Sequence, residues 1–342
     1  MTLTVLSVAY PFAPVTPDPP GGAEQVLAQL DRALVEAGHR SIVLAQAGSR
    51  TAGELIEVPA PPGDIDGDAW ANAHGFMREV IDEHAGDGTG LVHLHGFDFD
   101  SCLPPPGPPT LVTLHMPLDW YEAGVLRPDR PRTWLQPVSA DQASRAPDGV
   151  TLLDPIPNGV DLDRYRPAGA RGGYALVLGR VAPEKGFADA LEAARNAGVP
   201  LKAAGRVFPY PEHRRYFAQA VAPLLDNERH WLGPVAGEEK RRLLAEARCL
   251  LLPSAAPETS SLVAMEALAS GTPVIAYRSG ALPEVVEDGV TGFIVDDVAG
   301  MAEAIGRVGA IDRARCRLAA EERFDLRRTT AAYLDLYRRL AA

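Results

Sequence analysis

Two glutamates stand eight positions apart (266 − 258 = 8) in the stretch PETSSLVAMEALASG, residues 257–271. The two carboxylates, Glu258 and Glu266, bracket what reads as one short segment. Thr259, Ser260 and Ser261 offer N-cap oxygens, and Leu262, Val263, Met265, Leu268 and Ala269 an apolar face. Gly271 and Pro273 stop the pattern. The spacing predicts a short helix that carries Glu266, with Glu258 in the loop before it. Its start offers N–H groups and a partial positive charge, which suit phosphate. Arg180 and Lys185, in GRVAPEKG, put two cations just past an apolar strand and suit a diphosphate. Gly21 and Gly22 open another helix, where missing side chains would let a phosphate reach the backbone. Standing alone, each feature has a plainer reading, as solvated glutamates and bases or as glycines that only make a turn.

The surrounding elements decide where these groups can point. Cys249–Leu252 and Val274–Tyr277 read as strands on either side of the glutamate helix. That unit places the loop at the carboxyl end of a parallel strand, where open α/β sheets bind ligands. Tyr174–Leu178, the helix Phe187–Ala197 and the strand Leu201–Ala204 begin the same half. The other half reads as strand Leu3–Val8, helix Ala23–Ala37 and strand Ser41–Ala45, then helix Asp68–His84. Strands Leu91–His95, Leu111–His115, Trp134–Val138 and Leu152–Ile156 complete its sheet. Pro157–Pro167, PNGVDLDRYRP, is polar and turn-rich and reads as a linker. The tail from Asp312 is helical. Neither G-x-G-x-x-G nor a P-loop occurs, so a dinucleotide fingerprint and a Walker motif are missing.

Other chemistries fare less well. His93 and His95 share a strand face, but no third metal ligand lies at a useful spacing. Asp64/Asp66, Asp98/Asp100 and Asp161/Asp163 form D-x-D triplets, which chance supplies in a chain with 45 acidic residues; none is read as a metal site. Cys102, Cys249 and Cys316 are too scattered for a disulfide framework or zinc. The net charge of −12 argues against a nucleic-acid binder, with local basic patches conceivable near Lys240–Arg242 or Arg327–Arg339. With 342 residues, 46% hydrophobic and 23% charged, two globular domains are expected. No run is long enough to span a membrane, and no basic residue precedes Arg32, a poor signal peptide; the expectation is a cytoplasmic protein.

The glutamate stretch with its flanks resembles the E-x7-E segment of family 4 retaining glycosyltransferases. In that family the first glutamate lies near the donor sugar and the second binds the nucleotide ribose. GRVAPEKG is similar to the family's GR-x-x-x-x-KG, whose Arg and Lys grip the donor phosphates. GGAEQ and LVEAGH resemble its Gly-Gly and LxxxGH, which implies diphosphate contact at Gly21 and Gly22. PNGVD resembles its linker. LVHLHG and TLHMP resemble its acceptor-side strands, which marks His95 and especially His115 as acceptor or reaction-centre candidates. Trp120 and Tyr121 could line an acceptor pocket or merely pack. WLGPV and the helix Glu238–Ala247 resemble the segment that borders the base, which brings in Val235. GRVFPYP departs from the family's Gly-x-Gly after Ala204 and leaves base recognition open. The likeness covers nearly the whole chain, is most specific over Gly179–Gly186 and Pro253–Ala276, and is weakest over Arg50–Gly90 and Leu118–Thr133.

The resemblance implies the GT-B architecture: two Rossmann-like α/β domains, 1–160 and 161–324, facing across a cleft, with the helix 325–342 crossing back. It implies transfer of a sugar from a nucleoside-diphosphate donor, UDP by default, to a hydroxyl of a small molecule or glycan, with retention. Arg180, Lys185, Glu258 and His115 would be catalytic. Gly21, Gly22, Val235, Thr259, Ser260, Ser261, Leu262 and Glu266 would complete the donor site. No metal or further cofactor is expected, because cations and helix starts would neutralise the phosphates. Two alternatives stay open, a nucleotide-sugar epimerase or hydrolase of the same fold and a sugar-nucleotide binder without turnover. The chain is short for the family, which suggests a trimmed acceptor domain. Its Arg, Ala and Pro bias, with only three lysines, would suit an actinomycete natural-product pathway.

Overall fold

The computed structural model describes residues 2–19, 21–85, 89–122, 124–169 and 172–342. The chain forms two compact units, Met1–Pro157 with Thr329–Ala342, and Asn158–Arg328.

The first unit runs β1 (Thr4–Val8), α1 (Gly22–Glu36), β2 (Arg40–Gln46), β3 (Glu54–Val58), α2 (Gly67–Ala85), β4 (Leu91–Leu94), β5 (Thr110–Leu114), β6 (Thr133–Pro137) and α3 (Ala140–Ser144). Its sheet is parallel throughout, in the order β3-β2-β1-β4-β5-β6. Alternate residues of a strand serve opposite faces. Ile42 and Leu44 of β2 join Met77 and Ile81 of α2 in one core, whereas Val43 and Ala45 join Leu27 of α1 in the other. Burial on both faces explains the unbroken apolar run IVLA, residues 42–45, of β2.

One strand is added to the expected set here, and one expectation is corrected. The edge strand β3, ELIEV, went unread because an edge strand is half polar. Its entry is fixed from afar: Asp31 of α1, fully buried, accepts from Ala52 N (2.6 Å), Gly53 N (3.1 Å) and Ser41 Oγ (2.7 Å). Leu152–Ile156 is not a strand. A single bridge joins Leu152 to Leu135, and Pro155, lacking an N–H, cannot extend the ladder.

The second unit runs β7 (Ala175–Arg180), α4 (Phe187–Asn196), β8 (Leu201–Arg206), α5 (Pro211–Tyr216), β9 (Arg229–Trp231), α6 (Gly237–Glu246), β10 (Cys249–Leu252), α7 (Leu262–Ala269), β11 (Val274–Tyr277), α8 (Leu282–Val285), β12 (Gly292–Val295), α9 (Val298–Arg307) and α10 (Arg313–Arg323). Its sheet, order β12-β11-β10-β7-β8-β9, is again parallel. Counted within the unit, both sheets read 3-2-1-4-5-6, the doubly wound order. Each therefore has a switch point between its first and fourth strands, β1/β4 and β7/β10, with a crevice beyond their carboxyl ends.

The last helix, α11 (Leu326–Ala341), belongs to the first unit from Thr329 onward, where Tyr333 and Tyr337 are fully buried. Among the described residues no helix is long and apolar enough to cross a membrane.

Candidate active site

The switch point of the second sheet gathers the predicted cations and the first glutamate. After β7 the chain makes a 3₁₀ turn, Pro183–Lys185, and enters α4 through Gly186 at φ +63°. A side chain there would put Cβ 2.1 Å from the carbonyl oxygen of Pro253, so only glycine lets this turn lie against the end of β10. Ala255 N donates to Glu184 O (2.9 Å) and clamps the two loops. Gly280, at φ +55°, performs the same service after β11, where a Cβ would fall 2.2 Å from Glu258 O. Ala281 N donates to that oxygen (2.7 Å), and Ser279 Oγ donates to Ala256 O (2.8 Å).

The clamped loops set the side chains. Lys185 Nζ donates to Glu258 Oε1 at 2.5 Å, and Ser254 Oγ donates to the same oxygen at 2.5 Å. Arg180 pairs with Glu184 at 2.6 Å. Burial pushes the Glu258 carboxyl up, but Lys185 by charge and hydrogen bond, then Ser254 and Arg180, outweigh it and hold its pKa below the ordinary value. The Glu258 side chain is 12% exposed, whereas Lys185 and Arg180 keep 30% and 29% of theirs open. An arriving anion can therefore reach the cations without unfolding anything.

Beside this cluster begins α7. Ser261 is its N-cap residue, but its side chain makes no cap bond, contrary to the capping role expected of Thr259–Ser261. The Ser261 side chain thus does not compete for the N–H groups of the first turn, which the buried Leu262 leads. Ser260 Oγ is buried with no hydrogen-bond partner among the described residues, a group that calls for one. Val235 is half-buried in the loop between β9 and α6.

Glu266 is fully buried within α7. Tyr165 Oη donates to Oε1 at 2.7 Å, and Lys240 Nζ lies 2.7 Å from each carboxylate oxygen. The basic patch expected at Lys240–Arg242 does not exist as such. Lys240 shares a face of α6 with buried Leu243 and Leu244 and turns inward, and only Arg242 lies outward, paired with Glu246. Sequence reasoning missed both Lys240 and Tyr165; the linker motif around Tyr165 was the one signal available. Ribose hydroxyls could reach Glu266 only by exchanging one of these contacts.

His213 was also missed. It is buried in α5, at the end of the divergent GRVFPYP segment. Burial and then the charge of Arg180 lower its pKa, against Glu184 and Glu212.

In the first unit Gly21 is the N-cap of α1 and Gly22 its first residue. The Glu24 carboxylate lies directly over Gly21, where a Cβ would stand 1.9 Å from its Oε2. This helix start is therefore occupied by the chain's own anion. Tyr121 packs in the core, and Trp120 is exposed. His95 and His115 follow β4 and β5 by one residue and meet, Nδ1 to Nε2, at 3.0 Å. His95 Nε2 lies 3.1 Å from His93 Nδ1. Spacing alone could not supply His115 as a neighbour, because a parallel strand separates it by 20 residues. The ring nitrogens touch directly, at hydrogen-bond distance. Asp98 accepts from His74 Nε2 at 2.7 Å, with the Cys102 thiol nearby and kept protonated by burial. Asp66 caps α2 through Ala69 N, and Asp161 accepts from Asp163 N.

Comparison with known proteins fits this geometry. Residues 173–310 match a model described as glycosyl transferases group 1, and residues 20–164 match one described as glycosyltransferase family 4. The chain belongs to the family 4 glycosyltransferases. A D-inositol 3-phosphate glycosyltransferase of Saccharomonospora viridis is 36% identical over 238 residues, 60% of this chain and 54% of that protein. A phosphatidyl-myo-inositol mannosyltransferase of Mycolicibacterium smegmatis is 29% identical over 85% of this chain and 82% of its own length. The matched segment spans about half the length of the first curated relatives, 54% and 50%. AviGT4, a glycosyltransferase involved in avilamycin A biosynthesis, superposes with a TM-score of 0.70 at 25% identity, over 99% of this chain and 98% of that one. The two doubly wound units are those of the GT-B fold of this family.

Proposed function

We propose that the chain is a retaining glycosyltransferase that moves a sugar from a nucleoside-diphosphate donor, by default UDP, to a hydroxyl of a small molecule or glycan. The observation that carries the reading is the Lys185–Glu258–Ser254 cluster, with Arg180, at the β7/β10 switch point. A carboxylate and two open cations meet there beside a helix start whose Ser261 makes no cap bond and an unpartnered serine hydroxyl.

Breaking the bond from sugar to phosphate puts negative charge on the leaving diphosphate. Arg180, Lys185 and the start of α7 are held in place to receive it, which stabilises the transition state without a solvent rearrangement. Lys185 changes partner in this scheme, from Glu258 to phosphate, and Glu258 is released to the sugar hydroxyls. The fixed cations do the neutralising that a metal ion would otherwise do, so transfer should survive EDTA. No protein nucleophile is assigned. The acceptor attacks on the leaving-group face, and the departing diphosphate takes its proton.

The curated relatives act, by name, on an inositol phosphate and a phosphatidyl-inositol, and AviGT4 is involved in avilamycin A biosynthesis. These names support a hydroxylated ring as acceptor and a natural-product setting. The test is release of nucleoside diphosphate from a panel of sugar donors, with EDTA present, with and without polyol acceptors. Release that requires an acceptor, with the product anomer matching the donor, is expected. Release without acceptor would favour a hydrolase, and binding without release a non-catalytic protein.

A further inference from the structure

Three side chains of metal-ligating type, His74, Asp98 and Cys102, come together in the first unit. One ligand atom of each lies within 4.8 Å of the other two, and among the described residues this is the one such group of His, Cys, Asp and Glu. Spacing along the chain hides it. α2 brings His74, the turn after β4 brings Asp98, and a 3₁₀ turn, Phe99–Cys102, brings the thiol. Asp98 and Cys102 are buried, and 16% of the His74 side chain is open, so the cluster can be reached from one side.

Local structure fixes each ligand. Trp70 stands one turn before His74 on α2, and their ring centroids are 5.1 Å apart. Asp98 Oδ2 accepts from His74 Nε2 at 2.7 Å. The other carboxylate oxygen, Oδ1, fills the space that a side chain at Gly96 would need, because a Cβ there would stand 2.2 Å from it. Asp100, the second half of the D-x-D triplet, is exposed while Asp98 is buried, so the triplet does not act as a pair. Cys102 packs in the core that Met77 and Ile81 of α2 share with β2.

A divalent ion held by one carboxylate, one thiolate and one neutral imidazole is a neutral unit, which a buried site tolerates. On binding, the thiol gives up its proton to solvent, and the imidazole binds through Nε2 with its own proton on Nδ1. Nitrogen, oxygen and sulfur together suit zinc rather than the harder magnesium, calcium or manganese. Ligand atoms around a tetrahedral zinc stand about 3.3–3.7 Å apart. The His74–Asp98 pair is closer than that and the outer limit of the cluster wider, so side-chain shifts of about 1 Å would close the shell.

We propose that His74, Asp98 and Cys102 form a binding site for a zinc-class divalent cation, with the fourth tetrahedral position left for water or another oxygen donor. Such an ion ties α2 to the turn after β4, at the carboxyl end of the first sheet. The inference stands on the first unit alone and not on the transferase reading. The ion holds no phosphate in this scheme, and the His74–Asp98 hydrogen bond keeps the cluster assembled without it, so transfer in EDTA remains the expectation.

Cobalt(II) alone, titrated into the full chain, reports geometry through its visible bands and sulfur ligation through a thiolate-to-metal absorption in the near ultraviolet. Wild type should take up one ion per chain, with a tetrahedral spectrum and the thiolate band. Zinc should displace it, and excess magnesium should not. Cys102→Ser should abolish the thiolate band. His74→Gln, at the partly open ligand, should weaken uptake by roughly 100-fold or more, since even the groups behind a ligand cost about 10- to 100-fold. Asp100→Asn and Cys316→Ser, outside the cluster, should bind as wild type does. No saturable uptake by wild type, a spectrum without the thiolate band, or a Cys102→Ser protein with the wild-type spectrum overturns the site. The wild-type titration decides this even if a variant folds poorly.

Discussion

A lysine 2.5 Å from a carboxylate satisfies that carboxylate and also waits for a different anion. Lys185 and Glu258 form such a pair, and Glu266 with Lys240 forms another of opposite character. The first is open on its cationic side; the second is sealed. Removing one partner of a sealed ion pair leaves a bare buried charge, a loss of roughly 3–5 kcal/mol. Lys240→Ala should therefore lower unfolding free energy by about that much in urea melts, while Arg242→Ala, on the surface, changes it by under about 0.5 kcal/mol. Similar melts for both would mean that Lys240 is not buried against Glu266. The two glutamates should also separate by ligand. If ribose exchanges into the Glu266 site, Glu266→Ala weakens bare UDP by roughly 10- to 150-fold, from a charged hydrogen bond of about 1.5–3 kcal/mol. Glu258→Ala should leave UDP affinity nearly intact and damage donor-sugar turnover. Unchanged UDP affinity in a folded Glu266→Ala protein would make Glu266 an anchor for Tyr165 and Lys240 only.

At the scale of elements, the site depends on how closely the loops after β7, β10 and β11 approach one another. Gly186→Ala forces a Cβ onto the Pro253 carbonyl at a positive φ, strain of roughly 1–3 kcal/mol. It should lower the melting temperature and, by spreading the loops, cost transfer activity even though Lys185 is untouched. An active variant with normal melting would show that the clamp is slack. Elements with strong periodicity were readable from the chain. Cys249–Leu252 and Val274–Tyr277 come out to the residue, because a buried parallel strand is an unbroken apolar run between turn signals. The polar edge strand β3 and the proline-broken Leu152–Ile156 were not, since their fate depends on partners distant in sequence. The same limit hid Lys240. Local sequence shows a basic surface at Lys240–Arg242, and only the packing of α6 beside α7 turns one of those side chains inward. Glu258, Arg180 and Lys185 lie in loops marked by turn glycines and strand ends, but their residue types alone read as solvated acids and bases, and the likeness to the family's motifs is what singled them out.

For the whole molecule, the three touching histidines make a prediction about acid. His93, His95 and His115 have folded-state pKa values below 6.5, that of His115 at about 4. Below pH 6.5 the unfolded chain binds protons that the folded one refuses, so stability falls as pH falls, by about 1.4 kcal/mol per pH unit for each such ring. The loss should begin near pH 6.5, continue to about pH 4 for His115, and be absent above pH 7. Scanning calorimetry between pH 7.5 and 5 should show the transition of the first unit dropping well ahead of the second; parallel drops would contradict this. The central claim concerns the other unit, that the β7/β10 switch point holds a nucleoside diphosphate through Lys185. Bare diphosphate carries the full charge that the donor develops only as its bond breaks, so it reads that lysine most directly. Isothermal titration of UDP, GDP, ADP and dTDP into wild type, Lys185→Ala and, as a control on β8, Lys202→Ala is the decisive measurement. One diphosphate should bind wild type and Lys202→Ala alike, and bind Lys185→Ala roughly 10- to 150-fold more weakly. Equal affinity in all three proteins, or binding of none of the four nucleotides by wild type, would contradict it.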